Sequence, residues 1–398
     1  MSNFKILVIA PHLSLKLNNG ADIYIFNVLK SISKSTNIEI TVVGNSEVFS
    51  FIDEKIENCQ AFENNIKNKI EASLLTIFHK SHYLFEKFIS KNYLSVITNI
   101  LTHDSYDCII YSYISSLNII SRIPNLINYY SFVFTHNDEI NWFNNIIDNT
   151  YNPIIRVVAY LSKSSCNNYL EKYRQPLYIH INQKDFDSYK RRYPYLKNLI
   201  VPPGVNINNQ LTVTSFDKNK IILVFIGSLS AKMNQDAIYY FYKYFYKCIY
   251  AEFGKNLTIR IIGSSPPKRL IQFVNKVNWE LHVDVPNHKL QELMAESDFG
   301  ILPFEYSSGS KLKQLEYLSC GIPFLATTCI GSPSPTLPRK SLVSDLDSEW
   351  AQHIKTNKLK SIEEKTEQFK ILQDATEIYS WDKITKNLIT NLRSLKDL

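Results

Sequence analysis

Glycine is scarce in this sequence, 10 residues in 398, while Asn, Lys, Ile and Tyr are abundant, and that bias by itself points to no function. More is excluded by what is missing at particular places. No G-x-G-x-x-G follows either strand that opens a domain, which argues against a nicotinamide-dependent dehydrogenase. The six cysteines, Cys59, Cys108, Cys166, Cys248, Cys320 and Cys329, include no C-x-x-C pair and suggest no disulfide framework, so they read as buried thiols of a cytosolic protein. No apolar stretch approaches the roughly 20 residues needed to span a bilayer. The opening MSNFKILVIAPHLS lacks the charged start, long apolar run and small-residue cleavage site of a secretory signal. The nine histidines are scattered and no D-x-D stands in a suitable loop, so no metal is expected; His12, His180 and His282 read as structural.

What is present describes a globular protein, with 45% hydrophobic and 20% charged residues. A chain of 398 residues is too long for one ordinary core, and two domains are expected. The net charge of +7 suits a phosphate-bearing substrate, an anionic membrane surface, or neither in particular. The densest basic and aromatic mixture, YKRRYPYLK from Tyr189 to Lys197, reads as a solvated face and not as a nucleic-acid site.

FKILVIA (Phe4 to Ala10) is a short continuous apolar run, the pattern of a strand buried on both faces. A loop with Asn18, Asn19 and Gly20 follows, then Ile25, Val28, Leu29 and Ile32 at helical spacing, then the strand IEITVVG: a βαβ unit. Residues 61–101 are mostly helical in pattern, and strands resume at YDCIIYSYI, YYSFVFTH and LYIHINQ. VPPGV (Val201 to Val205) punctuates the end of that half. A second start follows at IILVFIG (Ile221 to Gly227), with a long helix DAIYYFYKYFYKCIYAEF whose aromatic stripe reads as packing. Further strands are expected at TIRIIG, LHVDV, FGILPF and PFLATT. The spacing predicts two doubly wound α/β domains with parallel sheets, 1–205 and 206–375, and a helical tail, 376–398.

Two such domains form a cleft, and in open parallel sheets ligands bind beyond the carboxyl ends of the strands, so the chemistry is expected on the loops that follow them. Those loops carry His12 and Gly20; His136, Asn137 and Glu139; Gly227 to Asn234; Gly263 to Ser265; and Glu305 to Lys313. Beyond the last, SSGSKLKQLEYLSCGIPFLATT (Ser307 to Thr328) puts Lys311 and Lys313 at the start of a helix. The unsatisfied N–H groups there already act as roughly half a positive charge, and each further cation costs about 0.3–1 kcal/mol. Either the lysines swing out into water, or an anion sits at that end and N–H groups, helix dipole and ammonium groups all point at it.

NNGAD, THNDE, VPPGV, VFIGSLSAKMNQDAIYYF, ESDFGILPF and GSKLKQLEYLSCGIPFLAT, in this order and spacing, resemble the GT-B glycosyltransferases, specifically the retaining enzymes of glycosyltransferase family 4. Trp381 in YSWDKI is also similar to the family, whose last helix packs back on the N-terminal domain. The resemblance implies two Rossmann-like domains facing a central cleft. It implies transfer of a sugar, with retention, from a UDP- or GDP-linked donor to a glycan or lipid-linked glycan acceptor in surface polysaccharide synthesis. It also implies no metal or other cofactor, and a place in the cytoplasm with peripheral contact at the inner face of the cytoplasmic membrane.

By carry-over the donor sits mainly on the second domain. Gly227 and Ser228 then lie at the diphosphate, Lys311 and the Gly309, Ser310 and Leu312 backbone cap it, and Val285 is a further donor contact. Glu316 accepts hydrogen bonds from the ribose hydroxyls, which a carboxylate suits with its two acceptor oxygens. Asn19 and Gly20 close over the phosphates or the acceptor from the other domain, and Asn137 and Glu139 lie on the acceptor side. His136 faces the transferring sugar and orients it, completing a catalytic set with Lys311 and Glu316. Two positions depart from the family's pattern. Ser308, also on the donor side, stands eight places before Glu316, where a first glutamate is common; Ser228 replaces the usual arginine, which leaves Lys232 as the candidate for that charge.

Lysines and preorganised N–H groups suit a leaving nucleotide diphosphate because its charge grows as the glycosidic bond breaks. No close carboxylate pair of the retaining-hydrolase kind is evident, which fits a route on one face of the sugar. Two rival readings keep the fold: a CMP-linked keto sugar donor, and a subunit that binds nucleotide sugar weakly and supports a partner transferase.

Overall fold

The computed structural model describes residues 4–13, 20–34, 37–45, 47–50, 57–58, 66–207, 216–306, 312–330 and 340–394. Backbone contacts divide the chain into two units, Met1–Pro202 with Ile384–Leu398, and Pro203–Lys383.

In the first unit, β1 (Phe4–Ile9), β2 (Ile38–Val43), β3 (Glu47–Ser50), β4 (Glu57–Asn58), β5 (Cys108–Ser112), β6 (Tyr130–Phe134), β7 (Leu177–His180) and β8 (Lys197–Ile200) form one sheet, ordered β4-β3-β2-β1-β5-β6-β7-β8. From β2 through β8 the pairs are parallel, while β3 and β4 extend the edge antiparallel. Every residue of β5 is buried, as a strand covered on both faces requires. YDCIIYSYI stops being a strand at Ser112, because Tyr113 takes a left-handed backbone and turns the chain into a 3-10 segment, Ile114–Ser121.

The helices are α1 (Gly20–Ser33), α2 (Ile66–His79), α3 (Tyr83–Phe88), α4 (Lys91–His103), α5 (Glu139–Asn149), α6 (Pro153–Lys172) and α7 (Gln183–Arg192), joined by the tail helix Lys386–Ser394. Their starts follow from cap residues: the Ser90, Asp138 and Asn152 side chains accept the first free N–H groups of α4, α5 and α6. YKRRYPYLK spans the end of α7 and the start of β8, with Tyr189 and Tyr193 buried and Lys190 and Arg191 exposed.

In the second unit, β9 (Ile221–Ile226), β10 (Leu257–Gly263), β11 (Glu280–Val283), β12 (Phe299–Leu302), β13 (Phe324–Ala326) and β14 (Leu342–Val343) form a parallel sheet ordered β11-β10-β9-β12-β13-β14. The order reverses between β9 and β12, the place where doubly wound sheets bind ligands. Around it lie α8 (Lys232–Phe241), α9 (Lys247–Phe253), α10 (Lys268–Lys276), α11 (Asn287–Glu296), α12 (Leu312–Ser319), α13 (Asp347–Asn357) and α14 (Ile362–Thr376). The single long aromatic helix expected here is α8 and α9 joined through a wider turn, Tyr242–Tyr246. Its stripe is core: Phe241 packs on Trp279 at 5.7 Å and Phe245 on Trp350 at 4.3 Å between ring centroids.

Strands β9 and β12 pair over Leu223–Val224 and Phe299–Gly300, then part. Where they part, the Tyr317 hydroxyl accepts from Ile226 N–H at 3.2 Å and lies 3.1 Å from the Val224 carbonyl and 3.3 Å from that of Ile301. The backbone groups freed by the reversal are thereby satisfied. The tyrosine ring reaches that point only because position 300 is glycine; a Cβ there would stand 2.4 Å from the ring. This contact seats α12 over the switch point.

Candidate active site

At the carboxyl end of β9 the chain turns at Gly227, with a φ of +156° that L side chains rarely adopt. A Cβ at Gly227 would stand 2.8 Å from Asn234 Nδ2 and 3.0 Å from Lys313 Cε. One strand over, a Cβ at Gly263 would fall 1.9 Å from the Gly227 carbonyl oxygen. Two glycines therefore let Asn234, Lys313 and the neighbouring strand close in on this turn. Asn234, in the first turns of α8, braces it: its Nδ2 donates to the Ser228 carbonyl at 2.8 Å, and its Oδ1 accepts from Lys313 Nζ at 2.6 Å. The Ser228 and Ser230 hydroxyls pair at 2.9 Å.

Lys313 thus points into the β9 turn and not into water. Its ammonium lies 4.9 Å from the Phe304 ring centroid and 5.5 Å from that of Phe225. Burial lowers its pKa to about 8, with the Glu316 carboxylate one turn along α12 acting the other way. Burial likewise raises Glu316, and the lysine pulls it back. Lys232 is engaged elsewhere. It is exposed, and its Nζ holds both oxygens of Asp236 at 2.7 and 2.9 Å, while Tyr306 donates to the same carboxylate. Leu312 opens α12 and Val285 follows β11, both half-buried. Ser308, Gly309, Ser310 and Lys311 lie outside the described residues.

In the first unit, β5 and β6 are each followed closely by an aromatic residue with positive φ, Tyr113 at +69° and His136 at +54°. Such a conformation costs an L-residue roughly 1–2 kcal/mol, and it concentrates where geometry serves a ligand. The Tyr113 and His136 rings lie 4.4 Å apart, and His12, from the loop after β1, meets them edge-on at 4.4 and 5.7 Å. The Ser112 hydroxyl lies 2.7 Å from His136 Nε2 and 3.3 Å from His12 Nε2. Burial drives both imidazoles toward the neutral form, His12 to a pKa of about 3 and His136 well below its ordinary value, with His12 adding to the effect on His136. His136 Nδ1 is buried and has no hydrogen-bond partner among the described residues.

Asn137 is exposed beside this cluster, and Glu139 opens α5 with its side chain turned inward. Glu139 Oε1 accepts from Ile114 N–H at 2.9 Å, and its Oε2 lies 3.3 Å from His82 Nε2 and 3.7 Å from Cys166 Sγ. His82, Glu139 and Cys166 bring three metal-ligand atoms within 4.8 Å of one another, all buried. His82 Nδ1, however, accepts from Leu84 N–H at 3.1 Å. In the neutral ring the proton is then on Nε2, facing Glu139, where a metal would need a lone pair. The group fits a buried mount for the carboxylate, which Ile114 N–H and Cys166 Sγ hold while His82 Nε2 only faces it, and not a metal centre. Gly20 opens α1, and a Cβ there would meet nothing within 4 Å among the described residues; Asn19 lies outside them.

Residues 220–356 match the family model described as Glycosyl transferases group 1. The second domain is a glycosyl transferase group 1 domain. The match makes the chain a glycosyltransferase, and its two α/β units have the GT-B fold. Sucrose-phosphate synthase from Thermosynechococcus elongatus is similar over 99% of this chain and 100% of its own, with a TM-score of 0.65 and 13% identity. WaaG, a glycosyltransferase involved in lipopolysaccharide biosynthesis, is similar over 97% of this chain and 100% of its own, at 0.57 and 11%. The trehalose-6-phosphate synthase OtsA is similar over 98% of this chain and 99% of its own, at 0.59 and 12%. No curated protein matches the chain by sequence.

In this glycosyltransferase the structure brings Gly227, Ser228, Lys313 and Asn234 together in one unit, and His136 with Ser112, Tyr113 and His12 in the other. His12, which reads as structural in the sequence, belongs to the His136 cluster; no local motif marks it, because its partners come from β5 and β6. His180 is a satisfied core residue, between Thr135 Oγ1 at 3.1 Å and Asn198 Oδ1 at 2.7 Å. Asn234 closes the candidate loop Gly227 to Asn234 without being singled out in it, and Tyr317 carries no signal in the sequence beyond lying in the matched segment.

Proposed function

We propose that this glycosyltransferase moves a sugar, with retention, from a UDP- or GDP-linked donor to a glycan or lipid-linked glycan acceptor of surface polysaccharide synthesis. The observation that carries the reading is the Lys313 ammonium held by Asn234 against the Gly227 turn, at the switch point of a group 1 domain. A glycine turn lets a phosphate approach the backbone, and a fixed ammonium stabilises the charge that grows on the departing diphosphate. Glu316, on the same helix, receives ribose hydroxyls, and Lys311 adds its charge at the start of that helix. No metal is needed where lysines supply the positive charge.

Retention without a covalent intermediate has its own support. Asp138 and Glu139, the carboxylates beside His136, have their oxygens engaged: Asp138 by Asn141, Ser188 and Arg192, Glu139 by Ile114, His82 and Cys166. His136, neutral, orients the sugar. A surface-glycan acceptor is favoured by the likeness to WaaG. Peripheral membrane contact at the cytoplasmic face is favoured by α2, which buries Ala72 and Thr76 but leaves Ile70, Leu74 and Phe78 exposed on its opposite side.

Titration calorimetry with UDP, GDP and CMP tests the donor, and NMR of the anomeric proton in the product tests the stereochemistry. UDP or GDP is expected to bind and the product to keep the donor's configuration. Binding of none of the three, or an inverted product, sinks the corresponding part of the reading, and a preference for CMP moves it to a keto sugar donor.

A further inference from the structure

A cavity of about 270 Å³ opens in the first domain beside Glu139. Its polar edge comes from the loops after β1, β5 and β6, including His12, Tyr113 and Asn137, so it stands at the reversal of the first sheet, between β1 and β5. Its opposite wall is apolar: Leu84, Phe85 and Phe88 from α3, and Trp142 from α5. Glu139 and Trp142 are three residues apart on α5, hence on one face of it, and both line the space. Trp142 remains 44% exposed, a large aromatic plane that the fold does not use up.

We infer that this cavity seats the accepting unit as an uncharged sugar ring, its apolar face on Trp142 and its hydroxyls toward Asn137 and the acceptor positions that Glu139 keeps beside its contacts with Ile114, His82 and Cys166. The word "accepting" rests on the transfer reading above; the binding chemistry does not. A pyranose has apolar C–H faces and a rim of hydroxyls, and a flat aromatic beside a carboxylate and an amide complements both. Among the described lining residues no lysine or arginine is present, and His12 is held neutral. A phosphorylated or carboxylated sugar would therefore bring an anion against the Glu139 carboxylate with no cation among those residues to offset it. An alkyl chain fits no better, because it would strip water from Asn137 and Glu139 and return no hydrogen bond. The volume lies just under the range of about 300–1,000 Å³ usual for small-ligand sites, room for one ring and not an extended chain.

Ligand-observed NMR on the intact chain, without donor, tests this with a panel of neutral methyl hexopyranosides, their 6-phosphates, and hexanol. The neutral glycosides are expected to bind and the 6-phosphates to bind roughly tenfold more weakly. Trp142→Ala is expected to weaken glycoside binding by about fivefold to tenfold, with Trp142→Phe keeping most of it. Glu139→Gln, which retains an acceptor oxygen for Ile114 N–H, should narrow the gap between glycoside and 6-phosphate. The inference falls if no neutral glycoside binds, if the 6-phosphates bind as tightly, if Trp142→Ala changes nothing, or if hexanol displaces the glycosides. UDP and GDP are titrated into the same samples. Nucleotide binding without glycoside binding sinks this inference alone, and glycoside binding without nucleotide binding sinks the transfer reading alone.

Discussion

Lys313 Nζ donates to Asn234 Oδ1 at 2.6 Å, and Asn234 Nδ2 donates in turn to the Ser228 carbonyl at 2.8 Å. One amide therefore ties the α12 ammonium to the turn after β9. Removing the charge with Lys313→Met is expected to weaken UDP or GDP binding by roughly tenfold to a hundredfold, the weight of a lost charge-assisted hydrogen bond. Lys232→Ala, whose ammonium is already held by Asp236, should change it by less than about twofold. Calorimetry on the two variants decides between the lysines, and the reverse ranking would refute the assignment.

The same lysine sets a pH dependence. Its pKa is lowered to about 8 in the ligand-free protein, so the ammonium that a diphosphate requires is lost as pH rises through that value. Nucleotide affinity should be level below pH 8 and decline above it, and Lys313→Arg should remove the decline. The free protein responds in the opposite sense: between about 8 and 10.5 the unfolded chain binds a proton that the folded one does not, so this group favours folding increasingly across that window. An affinity that is flat from pH 7 to 10 would contradict the assignment.

Gly263 and Gly20 make a contrasting pair. A Cβ at Gly263 meets the Gly227 carbonyl oxygen at 1.9 Å, so Gly263→Ala must displace the donor turn; a stability loss of about 1–3 kcal/mol is expected, together with weaker nucleotide binding. At Gly20 a Cβ meets nothing within 4 Å among the described residues, and Gly20→Ala should leave the melting temperature level or slightly raised. Lost turnover in a Gly20→Ala protein of unchanged stability would then report a ligand contact.

His12 and His136 are held neutral by burial, so acid should cost stability. Below about pH 6.5 the unfolded chain takes up protons that these rings resist, which removes about 1.4 kcal/mol per pH unit for each histidine until its folded pKa is reached. Denaturant melts at pH 7, 6 and 5 should show a shallower fall for His136→Asn, a residue that tolerates the left-handed backbone at this position. Parallel curves for variant and parent would show that His136 does not resist protonation.

Glu139→Ala strands the Ile114 N–H in a buried site and removes the carboxylate 3.3 Å from His82 Nε2, and a loss of about 1–3 kcal/mol is expected, less for Glu139→Gln. Added zinc should leave the melting temperature of the parent unchanged. A zinc-dependent rise, absent in Glu139→Ala, would overturn the assignment of the His82 proton to Nε2.

FKILVI and IILVFI are legible as strands because a parallel strand covered on both faces needs an unbroken apolar run. Short, half-exposed β8 and β14 carry no such run and show only in the fold. The turn after IILVFIG and the misplaced lysines of KLK are legible too, as a glycine loop and an electrostatic conflict. Which lysine faces the turn is not, since the side chain of Lys313 is aimed by Tyr317 seating α12 where β9 and β12 part, and that seat exists only because residue 300 lacks a Cβ. By itself, then, the sequence determined where strands, helices and polar loops fall, since those depend on neighbours along the chain. The tertiary structure alone decided that Lys313 meets Asn234 and that His12 joins His136, because strand order, a property of the whole sheet, carries distant loops to the same end.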